Sequence, residues 1–116
     1  MPYFKVETNI PNDKIPDDLP AKLCIIISKT LGKPINYCCA TVVGGVNMSW
    51  GGDNEPAAQA VLTGLAVDDN KKHAKVLFDC IYKSLGVPVD RMYIHFTDAK
   101  TSEVGYKGTT FQELIG

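Results

Sequence analysis

The sequence predicts an α/β (α+β) fold in which one four-stranded sheet carries two helices on one face, built from two βαβ repeats. Three observations lead there. First, the chain repeats itself: "SKTLGKPINYCCATVV" (28–43) and "YKSLGVPVDRMYIHFT" (82–97) superpose at an offset of 54 residues. That offset sets Leu31 on Leu85, Gly32 on Gly86, Pro34 on Pro88 and Asn36 on Asp90. Second, each copy reads as the end of a helix, a turn and a strand, and the same offset carries Pro2 onto Pro56, each opening a strand-like run. Third, a strand–helix–parallel strand connection is right-handed in nearly all cases, so two such units in one sheet place both helices on the same side. The expected arrangement is the split-βαβ, ferredoxin-like type, a single domain over 1–116 with repeat units at about 2–43 and 56–97.

The first strand starts at once. Phe4, Val6 and Thr8 alternate with Tyr3, Lys5 and Glu7, the period of a half-buried strand. The first helix starts near Asp17 or Asp18, with Pro20 in its first turn, where no helical partner awaits the missing N–H. Leu19, Leu23, Ile26 and Ile27 form its apolar stripe, and Gly32 ends it. In the second helix, Asp68, Asp69 and Asn70 offer capping oxygens. Ala74, Leu77, Phe78, Ile81 and Leu85 then recur at helical spacing, and Gly86 supplies the stop, since it enters the left-handed region without penalty. The closing strands fall near 38–43 and 91–96. In the latter, Met92, Ile94 and Phe96 share one face, and Tyr93 and His95 the other. The glycine-rich link "GGVNMSWGGDNE" has room for a short edge strand. It lacks the Lys-Ser/Thr ending of a phosphate loop.

Bulk composition narrows the function classes. At 116 residues with 45% apolar content, the chain has the size and composition of one domain with a core. Lys plus Arg is 12, Asp plus Glu is 13 and the net charge is -1; a nucleic-acid footprint needs clustered excess base, so none is expected. The longest unbroken apolar run, Leu23 to Ile27, is far below the roughly 20 residues of a membrane span. No basic leader with an apolar stretch opens the chain, and the default expectation is a cytoplasmic protein. Cys24, Cys38, Cys39 and Cys80 show no Cys-x-x-Cys spacing and no His at ligand spacing, so neither metal nor cofactor is expected. Neighbours in a strand point to opposite faces, which disfavours a Cys38–Cys39 bond. With both helices on one side, the sheet's other face is bare and part apolar, which suggests a subunit interface.

Pro2 poses the chemical question. Proline removes a ladder donor and is tolerated at a strand's first position; one reading of Pro2 ends there. The other starts from removal of Met1, which initiator processing favours before a small residue. Pro2 then carries a free secondary amine at the rigid start of a strand.

"MPYF" with "TNIP" at 8–11, "LGKP" at 31–34, "MSWGG" with "EP" at 48–56, "RMYI" at 91–94 and "VGYKGTTF" at 104–111 occur in an order and spacing that extend over nearly the whole chain. In these the sequence resembles the macrophage migration inhibitory factor and D-dopachrome tautomerase family. The resemblance implies a homotrimer whose three sheets wrap a central channel, with pockets between subunits at each mature N-terminus. It implies tautomerisation of phenylpyruvate-like, small aromatic keto acids or D-dopachrome-like substrates. It also implies a cytokine-like role through a cell-surface receptor, with export that needs no signal peptide, so the expected location is cytoplasmic, secreted or both.

Carried over residue by residue, Pro2 is the catalytic base and Lys33 the pocket cation that meets a substrate carboxylate. An α-amino group titrates near roughly 7.7–8.0 when unperturbed. Burial and a nearby cation lower that value, toward what a general base needs at physiological pH. Lys33 taken alone reads as a solvated loop lysine, and its counterpart in the repeat is Val87. Tyr93 would donate to the substrate from a neighbouring subunit, with His95 beside it. The apolar wall would be Tyr37, Leu65, Val104, Tyr106 and Phe111, with Tyr3 at the mouth; Tyr106 and Phe111 also read as tail packing on the sheet.

The chain departs from the family pattern in three places. His95 stands where many members have Asn, and a histidine changes charge near working pH, so it is expected either to assist Pro2 or to be satisfied at the interface. Ala57 and Ala60 replace a Cys-x-x-Cys pair, which removes the basis for a thiol–disulfide oxidoreductase. Gly64, Leu65 and Ala66 replace Ser-Ile-Gly. Three readings follow as alternatives: a keto–enol tautomerase, a secreted cytokine-like receptor ligand with a weak or vestigial pocket, or a structural trimeric protein with no chemistry.

Overall fold

β1 (Pro2–Thr8) alternates as its sequence demands: Pro2, Phe4, Val6 and Thr8 are buried while Tyr3 and Lys5 face out. This computed structural model describes residues 1–115. After β1 come α1 (Leu19–Leu31), β2 (Cys39–Val43), β3 (Ala58–Leu65), α2 (Asn70–Leu85) and β4 (Met92–Ala99). A tail follows with β5 (Gly105–Tyr106), β6 (Thr109–Thr110) and the short α3 (Phe111–Ile115).

The four long strands form one mixed sheet in the order β2-β1-β3-β4, with a separate β5–β6 pair. β1 runs parallel to β2, antiparallel to β3, and β3 runs parallel to β4. The two helices pack on one face, as the handedness argument requires. The split arrangement does not occur: the two strands of each unit are direct neighbours, with nothing inserted between them. The apolar alternation that predicted the strands assigns faces, not neighbours, so it carried no information on this point.

Phe4, Val6, Ala60, Leu62 and Met92 from the sheet meet Leu19, Leu23, Ile27, Leu77 and Ile81 from the helices in one core. Gly32 (φ 65°) and Gly86 (φ 73°) end the two helices in the left-handed conformation, where a side chain would be strained. The start of α2 differs from expectation. Asp69 occupies the cap position at φ 53° and no side-chain cap bond forms. A capping oxygen normally reaches the first turn from an extended backbone; left-handed Asp69 instead offers its carbonyl to the N–H groups of Lys72 and His73, at 3.0 and 3.3 Å. The inward stripe of α2 is also rotated: His73, Leu77, Cys80 and Ile81 are buried, while Ala74, Phe78 and Leu85 are half-buried.

The link between the units holds no strand among the described residues, only an isolated bridge between Trp50 and Asp53. Correspondingly, β3 starts at Ala58, two residues beyond Pro56. Side chains tie the link down. Asn9 Nδ2 donates to the carbonyls of Asn54 and Glu55, and Asn9 Oδ1 accepts from the Ala57 N–H. Thr8 Oγ1 donates to the Ala57 carbonyl at 2.7 Å. From the far edge, the Arg91 guanidinium donates to the carbonyls of Pro56 and Glu55 and to Asp53 Oδ1. These bonds satisfy backbone carbonyls that would otherwise have no ladder partner.

Candidate functional site

The start of β1 is enclosed on both sides. Pro2 pairs with Gly64 at the end of β3. Tyr3 pairs with Cys39, so one step earlier in the same parallel register Pro2 lies alongside Cys38. Pro2 is fully buried and its ring faces the helix side. Met1 precedes it here, so the Pro2 nitrogen is an amide and the free amine belongs to Met1. Burial holds that amine below its ordinary range; Cys38, when ionised, acts against this, and the Lys33 charge acts with it. Lys33 and Cys38 thus flank the N-terminus electrostatically.

Lys33 is half-buried just past the left-handed Gly32. Ser28 fixes its backbone from both sides: the Lys33 N–H donates to the Ser28 carbonyl at 3.0 Å, and Ser28 Oγ donates to the Lys33 carbonyl at 2.6 Å. Tyr37 follows in a 3-10 turn (Ile35–Tyr37) and directly precedes Cys38. Its ring meets Tyr106 edge-on at 5.8 Å between centroids, and Tyr106 stacks on Phe111 at 5.2 Å and 3°. The Phe111 N–H donates to the Val104 carbonyl, and Phe111 is buried. The tail therefore does pack, and through Tyr37 it packs against the turn that leads to the Pro2 region. Leu65, half-buried, ends β3 next to Gly64, and Tyr3 faces outward from β1.

Tyr93 and His95 are elsewhere. They share the sheet face opposite the helices, in the rows Glu7–Gln59–Tyr93 and Lys5–Val61–His95. Pro2 lies level with Gly64 and Asp98. Tyr93 is five residues from Asp98 along β4, about 17 Å at about 3.3 Å per residue, and on the other face. A single chain does not bring these two residues to Pro2. Tyr93 is 71% exposed and rests on Trp50, with ring centroids 4.6 Å apart. Val61, Val43 and Tyr3 are exposed on the same face.

The sequence reading missed Cys38 as a neighbour of Pro2, Trp50 as the support of Tyr93, and His73 as a buried partner of Thr30 at 2.9 Å. The adjacency of Cys38 needed the strand order, and the other two needed the tertiary contact. A groove of about 790 Å³ lies on α2 beside Val89, lined by Lys71, Ala74, Lys75, Phe78 and Asp79, and includes none of the expected site residues. Among the described residues no group of His, Cys, Asp and Glu is arranged to hold a metal ion. No helix is long and apolar enough to cross a membrane among those residues.

The family model described as macrophage migration inhibitory factor matches residues 1–112. The chain belongs to the macrophage migration inhibitory factor family. A macrophage migration inhibitory factor homolog of Trichuris trichiura is 37% identical over 96% of this chain and 100% of its own length. A Xenopus laevis protein named D-dopachrome decarboxylase-B is 32% identical over 98% and 100% of the two chains. The solved structure of the macrophage migration inhibitory factor of Trichinella spiralis superposes with a TM-score of 0.91 at 33% identity, covering 94% of this chain and 99% of that one. Family and fold together support tautomerase-type chemistry.

Proposed function

We propose that the protein is a keto–enol tautomerase that acts, once Met1 is removed, on small aromatic keto acids of the phenylpyruvate type or on D-dopachrome-like substrates. The observation that carries this reading is the full burial of Pro2 at the start of β1, where burial holds the N-terminal amine below its ordinary range and the Lys33 charge acts in the same direction. Loss of Met1 moves the free amine onto Pro2, which is buried more deeply. A neutral amine there takes the proton from the carbon α to the substrate carbonyl and returns it to the other end of the enol system. Lys33 pairs with the substrate carboxylate. Tyr37, Tyr106, Phe111, Val104 and Leu65 form the wall for the aromatic ring, with Tyr3 at the mouth.

The reading includes a homotrimer. The exposed Tyr93 and His95 and the uncovered apolar residues of that face support an arrangement in which a neighbouring subunit presents Tyr93 as donor to the developing oxyanion, with His95 beside it.

The test compares protein shown by intact mass to start at Pro2 with protein extended before Pro2. We expect phenylpyruvate tautomerisation from the first, and from the second an unchanged fold by circular dichroism with the activity lost. Full activity in the correctly folded, extended protein would exclude Pro2 as the base.

A further inference from the structure

Two thiols converge beside the start of β1. By strand alternation Cys38 belongs with Ala40 and Val42 on the helix side of β2, and α1 packs over that strand. From α1, Cys24 directs its Sγ–H at the Cys38 carbonyl, 3.4 Å away. The Cys38 thiol in turn donates to the Pro34 carbonyl at 3.5 Å, across the turn between Lys33 and Tyr37 that the Tyr37 and Cys38 N–H groups close on the Pro34 and Ile35 carbonyls at 3.1 and 2.9 Å. Both cysteines are free and half-buried. Cys39, by contrast, is exposed on the opposite face, opposite Tyr3, and Cys80 is buried on α2 next to Ser84. Cys24 and Cys38 are therefore the two thiols that share one side of one strand.

We propose that Cys24 and Cys38 form a redox-active dithiol, oxidised by low-molecular-weight disulfides to an intramolecular disulfide that shifts the Cys38 end of the turn carrying Lys33 and Tyr37. In the first step the Cys38 thiolate attacks the small disulfide RSSR, forming Cys38–S–S–R and expelling RS⁻, which takes up a proton. In the second the Cys24 thiolate attacks the Cys38 sulfur, forms the Cys24–Cys38 bond and expels the second RS⁻. The protein loses two hydrogens and RSSR becomes two RSH. Closing the bond takes the Cys38 sulfur off the Pro34 carbonyl and draws the Cys38 end of the turn toward α1, while the backbone bonds from Tyr37 to Pro34 and from Cys38 to Ile35 still close the turn. Burial is the main cause that pushes both thiols above their ordinary range. The thiolate is the attacking species, so exchange is slow near neutral pH and accelerates as pH rises.

The experiment incubates the reduced, full-length protein with hydroxyethyl disulfide at mildly alkaline pH, then uses intact mass and peptide mapping. We expect a bond mapped to Cys24–Cys38, with loss of two hydrogens from that pair, in the native protein and in Cys39→Ser and Cys80→Ser; exposed Cys39, where present, takes up a mixed disulfide in addition, so Cys39→Ser shows the loss of two hydrogens alone. Cys24→Ser is expected to stop at a mixed disulfide on Cys38, and Cys38→Ser to form no intramolecular disulfide. Backbone amide resonances of residues 33–38 are expected to shift on oxidation and return with dithiothreitol. No Cys24–Cys38 bond in the native protein, a bond mapped to any other pair, a covalent dimer, or unshifted resonances would each overturn the proposal. One further readout rests on the tautomerase reading: the KM for phenylpyruvate rises several-fold on oxidation while kcat changes little. Reduced protein without tautomerase activity would count against that reading alone, because the mass and resonance measurements decide the dithiol independently.

Discussion

Gly64 and Pro2 face each other across β3 and β1, and the space at Gly64 is taken by its own chain. A Cβ placed on Gly64 would stand 2.9 Å from Val67 Cγ2, and 3.6 Å from both Pro2 Cβ and the Met1 carbonyl. Real Cβ atoms do not approach that closely, and valine is stiff about its first side-chain torsion. The turn after β3 must shift to admit any side chain at 64. Gly64→Ala is expected to lower stability by about 1–3 kcal/mol, the usual cost of overpacking. Gly64→Ala/Val67→Ala is expected to recover most of it. Denaturant unfolding of the single and double variants checks this; equal destabilisation in both would show that Val67 is not the obstacle. Two residues on, Ala66 sits at φ 57°, a region that costs an L-residue roughly 1–2 kcal/mol. Ala66→Gly is expected to relieve part of that strain and raise the melting temperature.

The seam between the helices depends on a polar pair. Thr30 Oγ1 and His73 Nδ1 are 2.9 Å apart, both residues are buried, and His73 Nε2 has no partner among the described residues. Thr30→Val keeps the volume but strands the second ring nitrogen as well. The expected loss is about 1–3 kcal/mol, the cost of an unsatisfied buried polar group. Replacing both, as Thr30→Val/His73→Leu, removes the polar atoms together and is expected to be milder than Thr30→Val alone. A double variant less stable than the single one would contradict this account.

Acid should loosen the link between the units. The Glu55 backbone N–H first, then the Arg91 side chain, hold the Asp53 carboxyl below the usual carboxylate range. A carboxyl depressed in the folded state stabilises it at pH above its unfolded value, about 3.9. That contribution disappears as pH falls through the lower, folded value. Asp53→Asn is therefore expected to melt earlier than the native protein at neutral pH, with the gap closing below about pH 4. Melting curves across that range check it, and a gap that persists in acid would assign the effect to something other than the charge.

How far the sequence could be read follows from which features are local. The helix ends at Gly32 and Gly86, the face of each strand and the bare side with Tyr93 and His95 all depend on nearest-neighbour periodicity, and all were readable. Strand order was not, because alternation in β1 is the same whether β2 or β4 lies beside it. His73 escaped because a histidine adds no apolar signal to the stripe it shares with Leu77 and Ile81, and its partner Thr30 is 43 residues away. The same holds for Asn9 and Arg91: both lie in quoted family motifs, yet only the fold shows them fastening Asp53 to Ala57. Lys33 is the instructive case at the site. Its spacing says loop lysine; its place beside the N-terminal amine requires β1 and the end of α1 to meet at one edge.

The separation of Pro2 from Tyr93 allows a test of the shared pocket. In one chain the two lie at opposite ends and on opposite faces of the sheet, so a site that uses both must take them from different subunits. On the proposed homotrimeric reading, each of two variants damages every pocket of its own assembly: an N-terminally extended chain lacks the proposed base, and a Tyr93→Ala chain lacks the proposed donor. Unfolded together and refolded as mixed trimers, some pockets combine the intact Pro2 of one chain with the intact Tyr93 of another. The mixture is expected to show phenylpyruvate tautomerisation well above that of either variant alone. The gain should depend on co-refolding and be absent when the two assembled proteins are simply mixed. Sedimentation of the native protein as a trimer is the accompanying requirement. If Tyr93→Ala alone retains full activity, Tyr93 is not the donor. If both variants are inactive and co-refolded trimers remain so, the pocket is not shared in this way.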